Sequence, residues 1–293
     1  MRARPVDYLF LLRPALLAPV WTIFLLGHGR TGAPWPGLWL GLIAATAAFG
    51  SAFVLNQVFD VESDRHNRKC PFLSTGLISR RQALSFYGVL LLLALIGAWY
   101  ARAVGLVVLC IVALGVLYSA PPWRLKDRPY PALAANAVAH GVLAFLAGRL
   151  AAGQDWGPAL GASLPYACGV AAVYLHTTIP DLDGDRLAGK QTLAVTLGAA
   201  RAARWALGWY LSALLLALYS VDVLFLLAVL PAAPAFVRAG QGHMQWVPRA
   251  VRWSVLGLSC AAVFMAPWYA AVLALGFWST RVYYRRTWGL SYP

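Results

Sequence analysis

The chain has 293 residues, of which 61% are hydrophobic and only 12% charged, about half the charge of an ordinary soluble domain. A mean hydropathy of +0.66 leaves more apolar surface than a soluble fold can cover, so the bilayer is its natural solvent. The net charge of +14 is spread over basic residues standing singly between apolar runs, with no nucleic-acid motif beside them. They read as membrane-flanking and anion-binding charges, and nucleic acid is excluded as a partner.

The N-terminus, Met1 to Gly27, starts basic and turns apolar in the manner of a signal peptide. Arg13-Pro14 interrupts it and no small-residue cleavage site follows, so an uncleaved first span is expected. A span needs about 20 apolar residues. Windows of that kind fall near 8–27, 36–59, 82–101, 103–119, 129–149, 159–179, 202–219, 221–237 and 253–279. The period-two alternation of a barrel strand is missing. The expected fold is all-α: a multi-pass integral membrane protein of about nine helices. It forms a single domain over 1–293, with two repeated halves of roughly 1–128 and 129–293. Cys70, Cys110, Cys168 and Cys260 form no CxxC pair and imply neither a disulfide framework nor a zinc site.

Of the 24 Lys and Arg, only Arg30, Arg102, Arg149, Arg281, Arg285 and Arg286 fall outside the N-terminus and the loops after spans two, four, six and eight. The excess of positive charge assigns the N-terminus and those loops to the cytoplasm.

The ten acidic residues are unevenly placed. Asp60, Glu62 and Asp64 fall in Asn56-Gln-Val-Phe-Asp60-Val-Glu62-Ser-Asp64-Arg65, which runs on to Lys69. Asp181, Asp183 and Asp185 fall in Thr177-Thr-Ile-Pro-Asp181-Leu-Asp183-Gly-Asp185-Arg186, which runs on to Lys190. Laid over each other, Asp60, Asp64, Arg65 and Lys69 meet Asp181, Asp185, Arg186 and Lys190, and Glu62 meets Asp183. Each segment ends a long apolar run, and an even number of spans between them returns both to one face. Duplicated halves commonly place a site between them. Carboxylates at i and i+4 project from one side of a helix. That stripe takes in Asn56, Asp60 and Asp64 and leaves Glu62 and Asp183 off it. Such stripes repel unless a hard cation joins them. Mg²⁺ suits, since it takes one or two carboxylates and keeps waters and substrate phosphates as its other ligands. Neighbouring Arg and Lys would bind the remaining diphosphate oxygens.

At these residues the chain resembles the UbiA superfamily of intramembrane prenyltransferases. That family carries NxxxDxxxD after its second helix and DxxxD after its sixth, here NQVFDVESD and DLDGD. The stretch Tyr118-Ser-Ala-Pro-Pro-Trp-Arg-Leu-Lys126-Asp-Arg-Pro129 is similar to the family's YSxPPxRLK loop. Asp185-Arg-Leu-Ala-Gly189-Lys190-Gln-Thr192-Leu, the following Gly198 and the early Arg13-Pro14 extend the likeness. The resemblance implies a nine-helix bundle whose central cavity opens toward lipid. It implies Mg²⁺ held by Asn56, Asp60, Asp64, Asp181 and Asp185, and a diphosphate held by Lys126, Arg68, Lys69 and Lys190, with Tyr118 and Ser119 as donors. Lys126, Asp60 and Asp181 become the catalytic candidates. The implied reaction ionises a polyprenyl diphosphate, and a lipophilic acceptor (an aromatic quinone precursor, a tetrapyrrole or a lipid) attacks the allylic cation. No obligate protein partner is implied. Two departures stand out: Pro71 replaces an arginine of the family pattern, and Thr178 replaces an acidic residue.

Asn136 and His140, one turn apart inside span five, and His176 before the second motif are candidates for the acceptor side, because intramembrane polar residues tend to be functional. Phe53 and Tyr174 offer aromatic faces to a cation. Two rivals belong to other classes. A transporter would bury its acidic residues deep within spans. A phosphotransferase acting on CDP-alcohols would gather its aspartates into one motif with an upstream Asp-Gly and Ala-Arg.

Overall fold

Pro14 has no N–H and crowds its predecessor out of the helical region, so the first span breaks there. Helix α1 (Pro5–Leu11) stops, Arg13 turns left-handed at φ 56°, and α2 (Pro14–His28) restarts at an angle of 53°. The computed structural model describes residues 3–29, 35–67, 69–290 and 292, and among them there are helices and no strands. Helix α3 (Trp35–Phe59) returns and leads into two short helices, α4 (Val61–His66) and α5 (Pro71–Ser74). The hairpin of α6 (Arg80–Tyr100) and α7 (Arg102–Ser119) follows. Ser79 starts α6 by accepting from the Gln82 backbone N–H, while the Gln82 side chain accepts from the Ser79 N–H.

A 3-10 turn at Leu125–Asp127 follows α7. Helix α8 (Pro129–Asn136) runs through a π-helical stretch, Ala137–Leu143, into α9 (Ala144–Ala151), the three forming one span. Next come α10 (Trp156–Thr178), the short α11 (Leu182–Leu187) and α12 (Leu193–Leu197), and the long α13 (Ala199–Tyr219). Helices α14 (Val223–Val229) and α15 (Ala233–Gly240) share one span, interrupted at Pro231. The chain closes with α16 (Val247–Met265) and α17 (Tyr269–Trp288). Among the described residues eight helices are long and apolar enough to cross a membrane, and the bent first pair makes a ninth.

The window near 253–279 is not one span. Pro267 breaks it, with Ala266 out of the helical region at φ −137° and ψ 85°, and assigns its two parts to α16 and α17. At the start of α17 the Trp268 ring lies 4.9 Å from Trp39, near the beginning of α3. At its end Trp288 packs 4.7 Å from Phe72 of α5, beyond the other end of α3. Helix α17 therefore runs back along the bundle toward α4 and α5. Arg281, Arg285 and Arg286 lie in its C-terminal half, which corrects their assignment to the opposite side. Among the described residues this leaves Arg102 and Arg149 at the far end; Arg30 lies outside them.

Helices α2 and α9 touch backbone to backbone. A Cβ on Gly148 would stand 1.9 Å from the Phe24 carbonyl oxygen, and one on Gly27 would stand 2.2 Å from that of Phe145. Small residues at helix crossings are how membrane bundles gain close packing. Gly148→Ala is expected to cost about 2 kcal/mol through overpacking against backbone that has no rotamer to yield. Gly161→Ala, where a Cβ meets nothing within 4 Å, should leave the thermal melt in detergent unmoved. Equal melts for the two variants would contradict the close crossing.

Candidate active site

The two acidic segments fold alike. Asp60 and Asp181 occupy the N-cap positions of α4 and α11, which have six residues each. The Asp64 N–H donates to the Asp60 carbonyl at 2.8 Å, and the Asp185 N–H to the Asp181 carbonyl at 2.8 Å. One turn on, the Lys69 N–H donates to the Asp64 carbonyl at 2.8 Å and the Lys190 N–H to the Asp185 carbonyl at 2.9 Å. The repeat in the sequence is thus a repeat of backbone path. The stripe expected on one continuous helix is interrupted, because α3 ends at Phe59 and Asp60 takes φ −107° and ψ 8° before α4 begins. Asn56, Asp60 and Asp64 nevertheless face one cavity, since the break at Asp60 restarts the same turn. The two short helices meet at Gly184, where a Cβ would fall 2.0 Å from Asn67 Oδ1. Asn67 Nδ2 in turn donates to Asp185 Oδ1 at 3.3 Å.

The lysines pair across the repeat. Lys69 Nζ reaches Asp181 at 2.5 and 2.7 Å, and its counterpart Lys190 reaches Asp60, the counterpart of Asp181, at 2.8 Å. Lys126, from the Leu125–Asp127 turn, adds a second cation 3.0 Å from Asp60. Its Nζ is buried and out of hydrogen-bond alignment with any acceptor, an arrangement that an anionic oxygen would relieve. Burial opposes ionisation of Asp60, but the Lys126 and Lys190 ammoniums outweigh it and hold its pKa below the usual carboxylate value. Asp64 goes the other way: burial, aided by the Asp60 charge and resisted by Arg13, pushes it up to about 7. Burial also raises Asp185. Among the cations, burial lowers Lys126, whereas for Lys190 the pull of Asp60 overcomes burial and raises it.

These groups form the polar end of a cavity of about 500 Å³. Its wall carries Asn56, Asp60, Asp64, Asp181 and Asp185, the three lysines and Tyr118. Phe49, Phe53, Ile111 and Leu114 form its apolar part. The Tyr118 hydroxyl accepts from Asn136 Nδ2 at 3.1 Å. Asn136 and Tyr174 also face the cavity, as does His140, whose ring stacks on Phe53 at 5.9 Å. The π-helical stretch that carries His140 is a feature frequent at functional sites.

Two candidates lie off the wall. Ser119 is fully buried and its hydroxyl has no partner. His176 is also fully buried, stacked on Phe236 at 4.7 Å with both ring nitrogens unpartnered. Tyr174 and Thr178, one turn apart, face the cavity and put His176 on the reverse side of α10. An acceptor-side role for His176 is not supported. Arg68 lies outside the described residues. Arg13, Asn67 and Tyr292 also stand on the wall. Only Arg13, by its place before Pro14, had a local signal in the sequence.

Among the described residues no three His, Cys, Asp or Glu side chains converge into a self-sufficient metal cluster. Mg²⁺ does not need one. Hard carboxylate oxygens in pairs, with phosphate and water completing the shell, match its preference. The carboxylates also follow the ends of spans and stand beside lysines, unlike the deep acidic sites of a transporter.

The UbiA prenyltransferase family matches the chain over residues 16–252. A 2-acylphloroglucinol 4-prenyltransferase of Humulus lupulus is 29% identical over 181 residues, which are 56% of this chain and 43% of that enzyme. The match thus spans less than half of that relative's length. A lycopene elongase/hydratase of Corynebacterium glutamicum is 28% identical over 236 residues, 76% of each protein. A structure of a UbiA homologue from Archaeoglobus fulgidus bound to DMAPP and Mg²⁺ shares the fold, with a TM-score of 0.71 at 22% identity, covering 92% of this chain and 99% of that one.

Proposed function

The chain belongs to the UbiA prenyltransferase family, and on that footing we propose that it moves a prenyl group from a polyprenyl diphosphate to a lipophilic acceptor, with Mg²⁺ as cofactor and release of diphosphate. The observation that carries this reading is the reciprocal pairing of Lys69 with Asp181 and of Lys190 with Asp60 at the polar end of a cavity that is otherwise apolar. Asn56, Asp60, Asp64, Asp181 and Asp185 would hold Mg²⁺, which when bound offsets the charge growing on the leaving diphosphate.

The remaining work falls to the protein. Lys69 and Lys190 exchange carboxylate partners for diphosphate oxygens, a trade between charge-assisted contacts of similar kind, and Lys126 gains an aligned acceptor for its buried Nζ. Because these cations are fixed before the carbon–oxygen bond breaks, the bonding pair leaves with the diphosphate at little cost in reorganisation. Phe49, Phe53 and Leu114 keep water from the allylic cation, and Phe53 offers it a π-face. The acceptor supplies the electron pair of the new bond and loses a proton. His140 is the basic side chain on the apolar wall placed to receive it. Quinone precursors, tetrapyrroles and lipids are the acceptor classes that suit such a cavity.

Purified protein in lipid nanodiscs, given a prenyl diphosphate and each acceptor class, should release pyrophosphate and yield a product heavier by whole isoprene units. Undiminished turnover in excess EDTA would contradict it, as would CMP release from a CDP-alcohol or ion flux without chemistry.

The motif face is proposed to be cytoplasmic. With α17 returning, basic residues favour it more heavily than the sequence alone suggested. Ser63 is buried and Gly184 abuts Asn67, so topology probes belong at Glu62 and Asp183, whose side chains are 64% and 92% exposed. In a cysteine-free background, Glu62→Cys and Asp183→Cys should both react with an impermeant thiol reagent from the cytoplasmic side only. Labelling from opposite sides would remove the shared site.

A further inference from the structure

Helix α17 lies beyond the stretch 16–252 that matches the family, yet it ends at the active site. Tyr292, just past it, stands on the cavity wall together with Arg13. Arg13 is also outside the matched stretch, and it occupies a conformation uncommon for any residue but glycine, φ 56°. The 53° bend at that point takes its side chain off the line of α1 and α2 and brings it beside Asp64. Its Nε is buried without a partner, and Tyr292 stands on the same wall. A left-handed arginine and a buried unsatisfied donor are two separate signs of a side chain held for a ligand.

Tyr292 is itself anchored. Its ring packs 4.6 Å from Tyr284, and the Leu290 N–H donates to the Tyr284 carbonyl at 3.4 Å. One residue earlier, the Tyr283 hydroxyl donates to Asp7 Oδ1 at 2.7 Å and its ring stacks 3.9 Å from Phe10. Helix α17 is thus clamped to α1 immediately before the bend that carries Arg13.

We propose that Tyr292 is a positioning residue that aims Arg13 at the diphosphate, so that α17 completes the substrate site from outside the matched stretch. The inference rests on the reading of the cavity's polar end as a diphosphate site. A guanidinium presents a planar fork matched to phosphate oxygens. A Tyr292 hydroxyl that holds the guanidinium takes from it rotamer freedom that it would otherwise lose on binding.

The full-length protein in nanodiscs is to be titrated with Mg²⁺·pyrophosphate by calorimetry, and KM for a prenyl diphosphate measured alongside. Tyr292→Phe keeps the ring on Tyr284 and removes only the hydroxyl. It should weaken pyrophosphate binding about tenfold, the size of one charge-assisted hydrogen bond, with the loss appearing in KM more than in kcat. Arg13→Ala should weaken binding at least as much, and Tyr292→Phe should add nothing in that background. Unaltered binding by Tyr292→Phe, or full additivity in the double variant, would overturn the inference alone. Wild-type protein that fails to bind Mg²⁺·pyrophosphate would overturn the diphosphate site itself, and this inference with it.

Discussion

Asp60→Asn and Asp181→Asn, made separately, are expected to leave folded protein with turnover reduced by at least about a thousandfold, each 1.36 kcal/mol being a factor of ten in rate and metal-assisted charge stabilisation being worth several. Asparagine keeps the shape of aspartate and loses its charge. At position 60 that charge faces Lys190 at 2.8 Å and Lys126 at 3.0 Å, so its loss leaves two ammoniums uncompensated as well as removing a proposed metal ligand. At position 181 the partner is Lys69, whose side chain is 38% exposed, and water can solvate what the carboxylate leaves behind. Asp181→Asn is therefore the cleaner test of chemistry against folding. Asp183→Asn is the control. Its side chain is 92% exposed and meets Arg186 only at 3.7 Å, so its rate should stay within about twofold, as ordinary surface changes do. Initial rates under saturating Mg²⁺, with size-exclusion profiles for folding, decide the matter. An Asp183 variant as impaired as the Asp181 variant would mean that carboxylate orientation does not govern the site.

The second large effect belongs to Lys126. A lysine that merely anchors a cytoplasmic loop keeps its ammonium in water, whereas this one is 3% exposed beside Asp60. Charge on the leaving oxygens grows as the carbon–oxygen bond breaks, so the interaction is stronger in the transition state than in the ground state and its loss belongs mainly in kcat. A charge-assisted hydrogen bond of about 1.5–3 kcal/mol sets the expectation that Lys126→Ala slows kcat at least tenfold. Arg128, two residues on, is exposed, and Arg128→Ala should change kcat little. Equal small effects from both would reduce Lys126 to an ordinary loop charge.

The all-helical fold and the register of the two motifs were legible in the sequence because both are local. Apolar runs of span length are read from composition, and matched carboxylates and lysines from alignment of the chain with itself. Three things were not. Pro267 sits inside an apolar window, and hydropathy averages over the break it causes; the arginines of α17 then seemed to belong to the wrong side. The wall position of Tyr292 depends on α17 folding back along α1, a contact between the two ends of the chain. The direction of the ion pairs, each lysine reaching the opposite motif, is long-range and leaves no mark on spacing. His176 is different, because helical periodicity from Tyr174 and Thr178 already turned it away from the cavity.

The exchange of lysines between motifs has the form of an interface between two like subunits. Lys69 with Asp181 and Lys190 with Asp60 are one contact made twice, as two identical subunits make it across a two-fold axis. In such a dimer the carboxylate of one subunit receives its counter-charge from the neighbour. Joining two such subunits into one polypeptide replaces an encounter by diffusion with a fixed high local concentration. It would also free the halves to differ: the residue 121 positions after Lys126 is Val247.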